Sequence, residues 1–82
     1  MEITVKMPIC LAPRIIDIAV SVGDTVRVGD VLFSYESDGA LMFEYSAYSG
    51  TVTEMIARPN GTVRIGDVVL VIDGNNPREF TL

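Results

Sequence analysis

The chain reads as a single all-β domain built from two similar halves, and three observations predict this. Valine and isoleucine dominate its short apolar runs, which Gly-Asp, Asp-Gly or Asn-Gly pairs interrupt every eight to twelve residues. No segment repeats its apolar residues at a helical spacing of about 3.6. Finally, the sequence matches itself at an offset of 37 residues: Val22-Gly23-Asp24-Thr25-Val26-Arg27-Val28-Gly29-Asp30-Val31-Leu32 lies over Pro59-Asn60-Gly61-Thr62-Val63-Arg64-Ile65-Gly66-Asp67-Val68-Val69. The match extends back through Ile15-Ile16-Asp17-Ile18 over Val52-Thr53-Glu54-Met55 and forward through Tyr35-Glu36 over Ile72-Asp73. Two copies are too few for a solenoid, so each half must bury its apolar face against the other about a pseudo-twofold axis.

Strands are expected at 3–7, 15–20, 31–37, 40–45, 51–56 and 68–72, each an apolar, largely β-branched run bounded by turn signals. Gly23-Asp24 and Asn60-Gly61 stand where each half reverses direction, and Gly29-Asp30 and Gly66-Asp67 just before a strand resumes. There glycine supplies positive φ and aspartate accepts hydrogen bonds from nearby amides, so these aspartates are read as turn residues and not as metal ligands. Asp38-Gly39, between 31–37 and 40–45, is the preferred pair for a two-residue type I′ hairpin turn. The domain is taken as 1–73. Residues 74–82 have the composition of a tail or linker, and Phe80 and Leu82 are expected to cover a sheet edge if they pack.

Eighty-two residues with 49% hydrophobic content support one core. The net charge is −5, and the six cations, Lys6, Arg14, Arg27, Arg58, Arg64 and Arg78, are scattered along the chain. This argues against nucleic acid and anionic membrane as partners. No apolar run approaches the roughly 20 residues of a membrane helix, and no signal-peptide pattern opens the chain, so a cytoplasmic location is the expectation. With no histidine and one cysteine, Cys10, neither a disulfide nor an ordinary transition-metal site is expected, and Cys10 reads as a small, partly buried thiol. Glu36, Asp38 and Glu44 form an acidic rim in a chain too small to enclose a substrate pocket, so no catalytic residue is assigned and the domain is read as a non-enzyme.

The order of motifs resembles the lipoyl and biotinyl carrier domains. Val5-Lys6-Met7-Pro8 is similar to their opening strand. Val22-Gly23-Asp24-Thr25-Val26 and Gly29-Asp30-Val31-Leu32 are similar to their first turn and following strand, and Gly50-Thr51-Val52, Thr62-Val63 and Gly66-Asp67-Val68 to their second half. The resemblance covers about 3–72 and implies a flattened two-sheet β-barrel, a barrel-sandwich hybrid, with pseudo-twofold symmetry. Glu36-Ser37-Asp38-Gly39-Ala40 is similar to the lipoyl hairpin E-[ST]-D-K-A and less so to the biotinyl hairpin E-A-M-K-M. Between Asp38 and Ala40, where that family carries its acylated lysine, stands Gly39. The resemblance therefore implies a vacant attachment position and no lipoyl cofactor as sequenced, whether by natural loss or by replacement of a lysine.

A second departure lies in 40–45. Glu44 falls where the lipoyl pattern has an apolar residue and Phe43 where it has an acid. Under strict alternation Glu44 shares a face with Met42 and Ala40, so either a bulge re-aims it or Phe43, Tyr45 and Tyr48 form an exposed aromatic patch suited to protein contact. Two functions follow from the resemblance. One is a lipoyl-like, non-carrying domain of a 2-oxo acid dehydrogenase acyltransferase (dihydrolipoamide acyltransferase), with the proteins of that multienzyme complex as partners. The other is a binding or assembly module on the same fold, with self-association left open; a biotinyl-type relative is the third possibility.

Overall fold

A computed structural model describes residues 1–74, which form seven strands and no helix. They are β1 (Glu2–Lys6), β2 (Arg14–Ile18), β3 (Thr25–Val26), β4 (Val31–Ser37), β5 (Ala40–Tyr45), β6 (Gly50–Met55) and β7 (Val68–Gly74). One sheet runs β1-β7-β6-β3 and the other β2-β4-β5, all antiparallel. The expected extents of β4 and β5 agree residue for residue, and the other four expected strands shift by one or two residues at their ends. Only β3 was not anticipated, because two residues carry too little of a period-2 pattern to be read. β7 runs one residue past the expected domain boundary, and the expectation for Phe80 and Leu82 lies outside the described residues. No ladder joins the two sheets among the described residues, so the expected flattened barrel-sandwich hybrid is present as two antiparallel sheets that do not close into a barrel.

The repeat is visible in the backbone hydrogen bonds. The Gly23 amide donates to the Val52 carbonyl and the Asn60 amide to the Ile15 carbonyl, which are the same bond displaced by 37 residues in opposite directions. Ser46 exchanges bonds with Gly29 and Asp30 as Met7 does with Gly66 and Asp67. On this basis Ser46 is the counterpart of Met7, Tyr45 of Lys6 and Glu44 of Val5.

Bulges repeat as well, and they determine which residues reach the core. β4 inserts Leu32 opposite β5, between the pairs Val31–Tyr45 and Phe33–Glu44, and β7 inserts Val69 at the equivalent place opposite β1. An inserted residue breaks strict alternation. As a result Leu32 and Phe33 both enter the shared cluster and Tyr35 returns to it, just as Val69 and Leu70 enter and Ile72 returns, while Ser34 and Val71 between them are buried outside it. Ile16 and Thr53 are the inserted residues of β2 and β6, so Ile15 and Val52 are buried while Asp17 and Glu54 face solvent. With Met7, Val26 and Val63, these side chains make one shared apolar cluster.

The turn chemistry is as expected at the Gly-Asp pairs, whereas at Asn60-Gly61 it is Asn60, with φ of +60°, and not the glycine that takes the left-handed region, which asparagine tolerates. Asp24, Asp30 and Asp67 each accept, through Oδ2, the amide three residues earlier (Ser21, Arg27 and Arg64) at 2.9 Å. Gly29 and Gly66, just before two of these aspartates, hold φ of +93° and +87°. Each such bond contributes about 1 kcal/mol. Asp30→Ala and Asp67→Ala are therefore expected to lower the urea-unfolding free energy by similar amounts of about 1 kcal/mol, whereas Asp17→Ala, on the solvent face of β2, stays within about 0.5 kcal/mol.

Candidate functional site

The β4–β5 hairpin closes on the pair Ser37–Ala40, leaving Asp38 and Gly39 as its two-residue tip. Their φ values of +50° and +82° are both positive, as a type I′ turn requires. Aspartate tolerates that region and glycine enters it without steric cost. A Cβ built on Gly39 would meet nothing within 4 Å, so a side chain here would project freely into solvent. The six cations include one lysine, Lys6, at the end of β1. It borders the same surface as Tyr45, at the base of the hairpin. Six strand residues separate that level from the tip, roughly 20 Å.

The tip is braced from below by a segment that sequence reasoning left unassigned. The Asp38 amide donates to the Leu11 carbonyl at 2.7 Å, and the Leu11 amide donates to Ser37 Oγ at 3.1 Å. Ala12, with φ of +48°, turns this segment toward β2. Glu36 is tied down in turn: Arg14 donates to its Oε1 from Nε at 3.2 Å and from a terminal nitrogen at 3.1 Å, and a second terminal nitrogen donates to Asn60 Oδ1 at 2.9 Å. Nothing in the local sequence announces these bonds, because their partners are 22 to 46 residues apart.

β5 pairs along its length with β4 and has no neighbour on its other side among the described residues. The sequence left open whether a bulge re-aims Glu44 or the aromatics are exposed. A bulge is present, but it lies on β4 at Leu32, so Glu44 is not turned outward. Glu44 stands opposite buried Phe33, on the core side with Met42, while Leu41, Phe43 and Tyr45 take the outer face. Phe43, Tyr45 and Tyr48 are each about half exposed, at 47%, 56% and 48%. Tyr45 and Tyr48 border one cleft, which Phe43 does not line. Ser46, buried just beyond β5, donates from Oγ to the Tyr48 carbonyl at 2.6 Å and so fixes the turn that presents Tyr48.

A pseudo-symmetric sandwich with a braced, exposed two-residue hairpin tip is the setting in which the matches to known proteins fall. Residues 2–72 match the biotin/lipoyl family model, described as "Biotin-requiring enzyme". The chain belongs to the biotin/lipoyl family. Over 60 residues it is 35% identical to the dihydrolipoyllysine-residue acetyltransferase component of the pyruvate dehydrogenase complex of Mycoplasma pneumoniae (strain ATCC 29342 / M129 / Subtype 1). The aligned stretch is 73% of this chain and 15% of that relative, so the chain spans a small part of the relative's length.

Within this biotin/lipoyl domain the perturbed carboxylate is Glu44. Burial beside the core raises its pKa above the ordinary carboxylate value, and no cation pairs with it among the described residues. Burial also raises the pKa of Tyr35, with smaller contributions from Glu44 and Cys10. A folded pKa above the unfolded one means that Glu44 favours the fold fully below the unfolded value, and that this stabilisation is lost as pH rises through the folded value. Thermal unfolding of Glu44→Gln should accordingly give a higher Tm than the parent at pH 7. It should also show a smaller fall in Tm between pH 4 and pH 7.

Proposed function

We propose that this biotin/lipoyl domain serves a 2-oxo acid dehydrogenase acyltransferase assembly as a docking domain that carries no lipoyl arm and performs no catalysis itself. The observation that carries the reading is Gly39 at the crest of a hairpin whose frame, Glu36-Ser37-Asp38-x-Ala40, is that of the lipoyl branch. A swinging arm is an amide on a lysine Nζ, and glycine has no side-chain atom to form one. Lys6 lies at the other end of the hairpin's length, on a different sheet. The residues present thus do not fit a lipoyl or biotinyl group tethered at the tip, and no carrier step is derived for them. The expected acidic rim is not assembled, since Glu36 pairs with Arg14 and Glu44 lies on the core side near the hairpin base. What supports docking is the braced crest and a sheet edge with no neighbour among the described residues, neither of which needs a cofactor.

The test is intact-mass spectrometry after incubation with a lipoyl ligase, lipoate and ATP. The parent chain is expected to stay unmodified, and Gly39→Lys to gain one lipoyl group. The open space around position 39 accommodates the new side chain, at a backbone cost of about 1–2 kcal/mol for leaving glycine at positive φ. Lipoylation of the parent would overturn the reading, and biotinylation of Gly39→Lys by a biotin ligase instead would move the domain to the biotinyl branch.

A second reading, a protein-binding or assembly module, is favoured by the half-exposed aromatics on an unpaired strand. Aromatic residues concentrate binding energy at interfaces, so Phe43→Ser and Tyr45→Ser are each expected to weaken binding to the dehydrogenase-complex components by about tenfold or more. Calorimetric titration measures this, and light scattering on the same variants reports any self-association.

A further inference from the structure

The two sheets leave a gap where the edge strands β1 and β5 approach the pseudo-twofold axis. It is a cleft of about 160 Å³ whose walls include Ile3, Val5, Ile72, Glu44, Tyr45 and Tyr48. Its opening has a cause in the repeat. Val5 and Met7 supply apolar bulk from one half, and their counterparts in the other half are Glu44 and the small Ser46. One half therefore brings a carboxylate where symmetry would bring a methyl-bearing side chain. The result is a slot with an aliphatic floor, tyrosines on one side, and one acid, Glu44, and one lysine, Lys6, among its walls.

We propose that this cleft receives one lysine side chain from an extended segment of a partner protein, its aliphatic stem lying on Ile3, Val5 and Ile72 and its ammonium on the Glu44 carboxylate. Charge complementarity selects the occupant. The chain is acidic, at −5, and both ion pairs among the described residues, Met1–Asp73 and Arg14–Glu36, lie elsewhere. Lys6 borders the cleft and makes no ion pair with Glu44 within 4 Å. One carboxylate is too few for a divalent cation, and no metal-ligating cluster exists among the described residues. A long methylene stem ending in a point charge matches apolar walls beside one acid. Burial already raises the pKa of Glu44, so an arriving ammonium would find a carboxylate poorly solvated by water.

The neighbouring backbone suits an extended partner. β5 is an edge strand among the described residues, and its residues 40–45, Ala-Leu-Met-Phe-Glu-Tyr, include no proline or lysine, so what discourages an added strand is the inward-pointing Glu44, which an arriving ammonium would neutralise. The inference rests on the docking reading only in taking the occupant from a protein, and it does not involve position 39.

The experiment titrates the ¹⁵N-labelled full chain at pH 7 and low salt with Ac-Val-Lys-Val-NH₂ and with its norleucine counterpart. The lysine peptide is expected to cause saturable shifts at the amides of Val5, Glu44, Tyr45 and Ser46, with affinity about fivefold above the norleucine peptide, as for a partly screened ion pair. Glu44→Gln and Glu44→Val, each checked for a native spectrum, should abolish that preference. Equal binding of the two peptides, saturation at other residues, no saturation at all or an unchanged preference in folded Glu44→Gln would each overturn the proposal. Concentration-dependent shifts without peptide that vanish in Lys6→Met would assign the cleft to a second copy and overturn it too. None of these results bears on lipoylation at position 39, so the two readings fail separately.

Discussion

The apolar cluster shared by two sheets that have no common ladder is the interaction on which the rest of this fold depends. Sheets joined by a ladder could tolerate a loose interior, but here side-chain packing, the crossing loops and a few loop-to-strand bonds such as that from the Asn60 amide to the Ile15 carbonyl hold the layers together. Each central strand must therefore deliver more apolar surface than strict alternation allows. Leu32-Phe33 and Val69-Leu70 do this through a one-residue bulge that turns two consecutive side chains inward. At roughly 1.5–3 kcal/mol for each large apolar side chain fully buried, two extra inward residues outweigh the ladder bond that a bulge disturbs, which contributes about 1 kcal/mol. The Gly-Asp turns serve the same end, since each re-enters the sandwich in a phase that keeps Val26 or Val63 inside.

Much of this was legible in the sequence, for reasons specific to particular residues. The repeat is local to read, since Gly29-Asp30 and Gly66-Asp67 bring their own turn chemistry and need no distant partner. β4 and β5 were readable to the residue because Asp38-Gly39 fixes their register from the middle. β3 was not, because Thr25–Val26 is a strand only through its pairing with Thr51 and Gly50. The bulge opposite Glu44 was sensed from the swapped polarity of Phe43 and Glu44 but assigned no strand, because one strand's pattern cannot say which of two partners holds the extra residue. The Leu11 brace and the Arg14–Glu36–Asn60 contacts were invisible for a simpler reason: each joins residues that only the closed sandwich brings together.

The hairpin offers different physics at its two ends. At the crest, Leu11 fixes Ser37 and Asp38 through two backbone-directed bonds, so the turn is held in place while Gly39 itself touches nothing. At the base, the side chains of two edge strands meet without interlocking. A rigid crest presents a shape, and an open seam presents a slot. A domain recognised through both need not rely on the residue at its tip, which is the physical content of reading it as a docking unit.

The asymmetry at the seam is the more telling of the two departures. Gly39 improves the turn in which it sits, so local geometry alone accounts for it. Glu44 improves nothing in the isolated chain. It occupies the place of Val5, loses part of its water beside Phe33 and pairs with no cation among the described residues, and a partly desolvated carboxylate of this kind works against folding at neutral pH. An aliphatic residue there would close the cleft and lengthen the core by one more pair across the axis. A stability cost of this kind often accompanies a functional demand, and an inward-pointing charge on an edge strand also discourages pairing with other chains. In the proposed complex a cation arriving from outside supplies at Glu44 the compensation that the described residues leave undone.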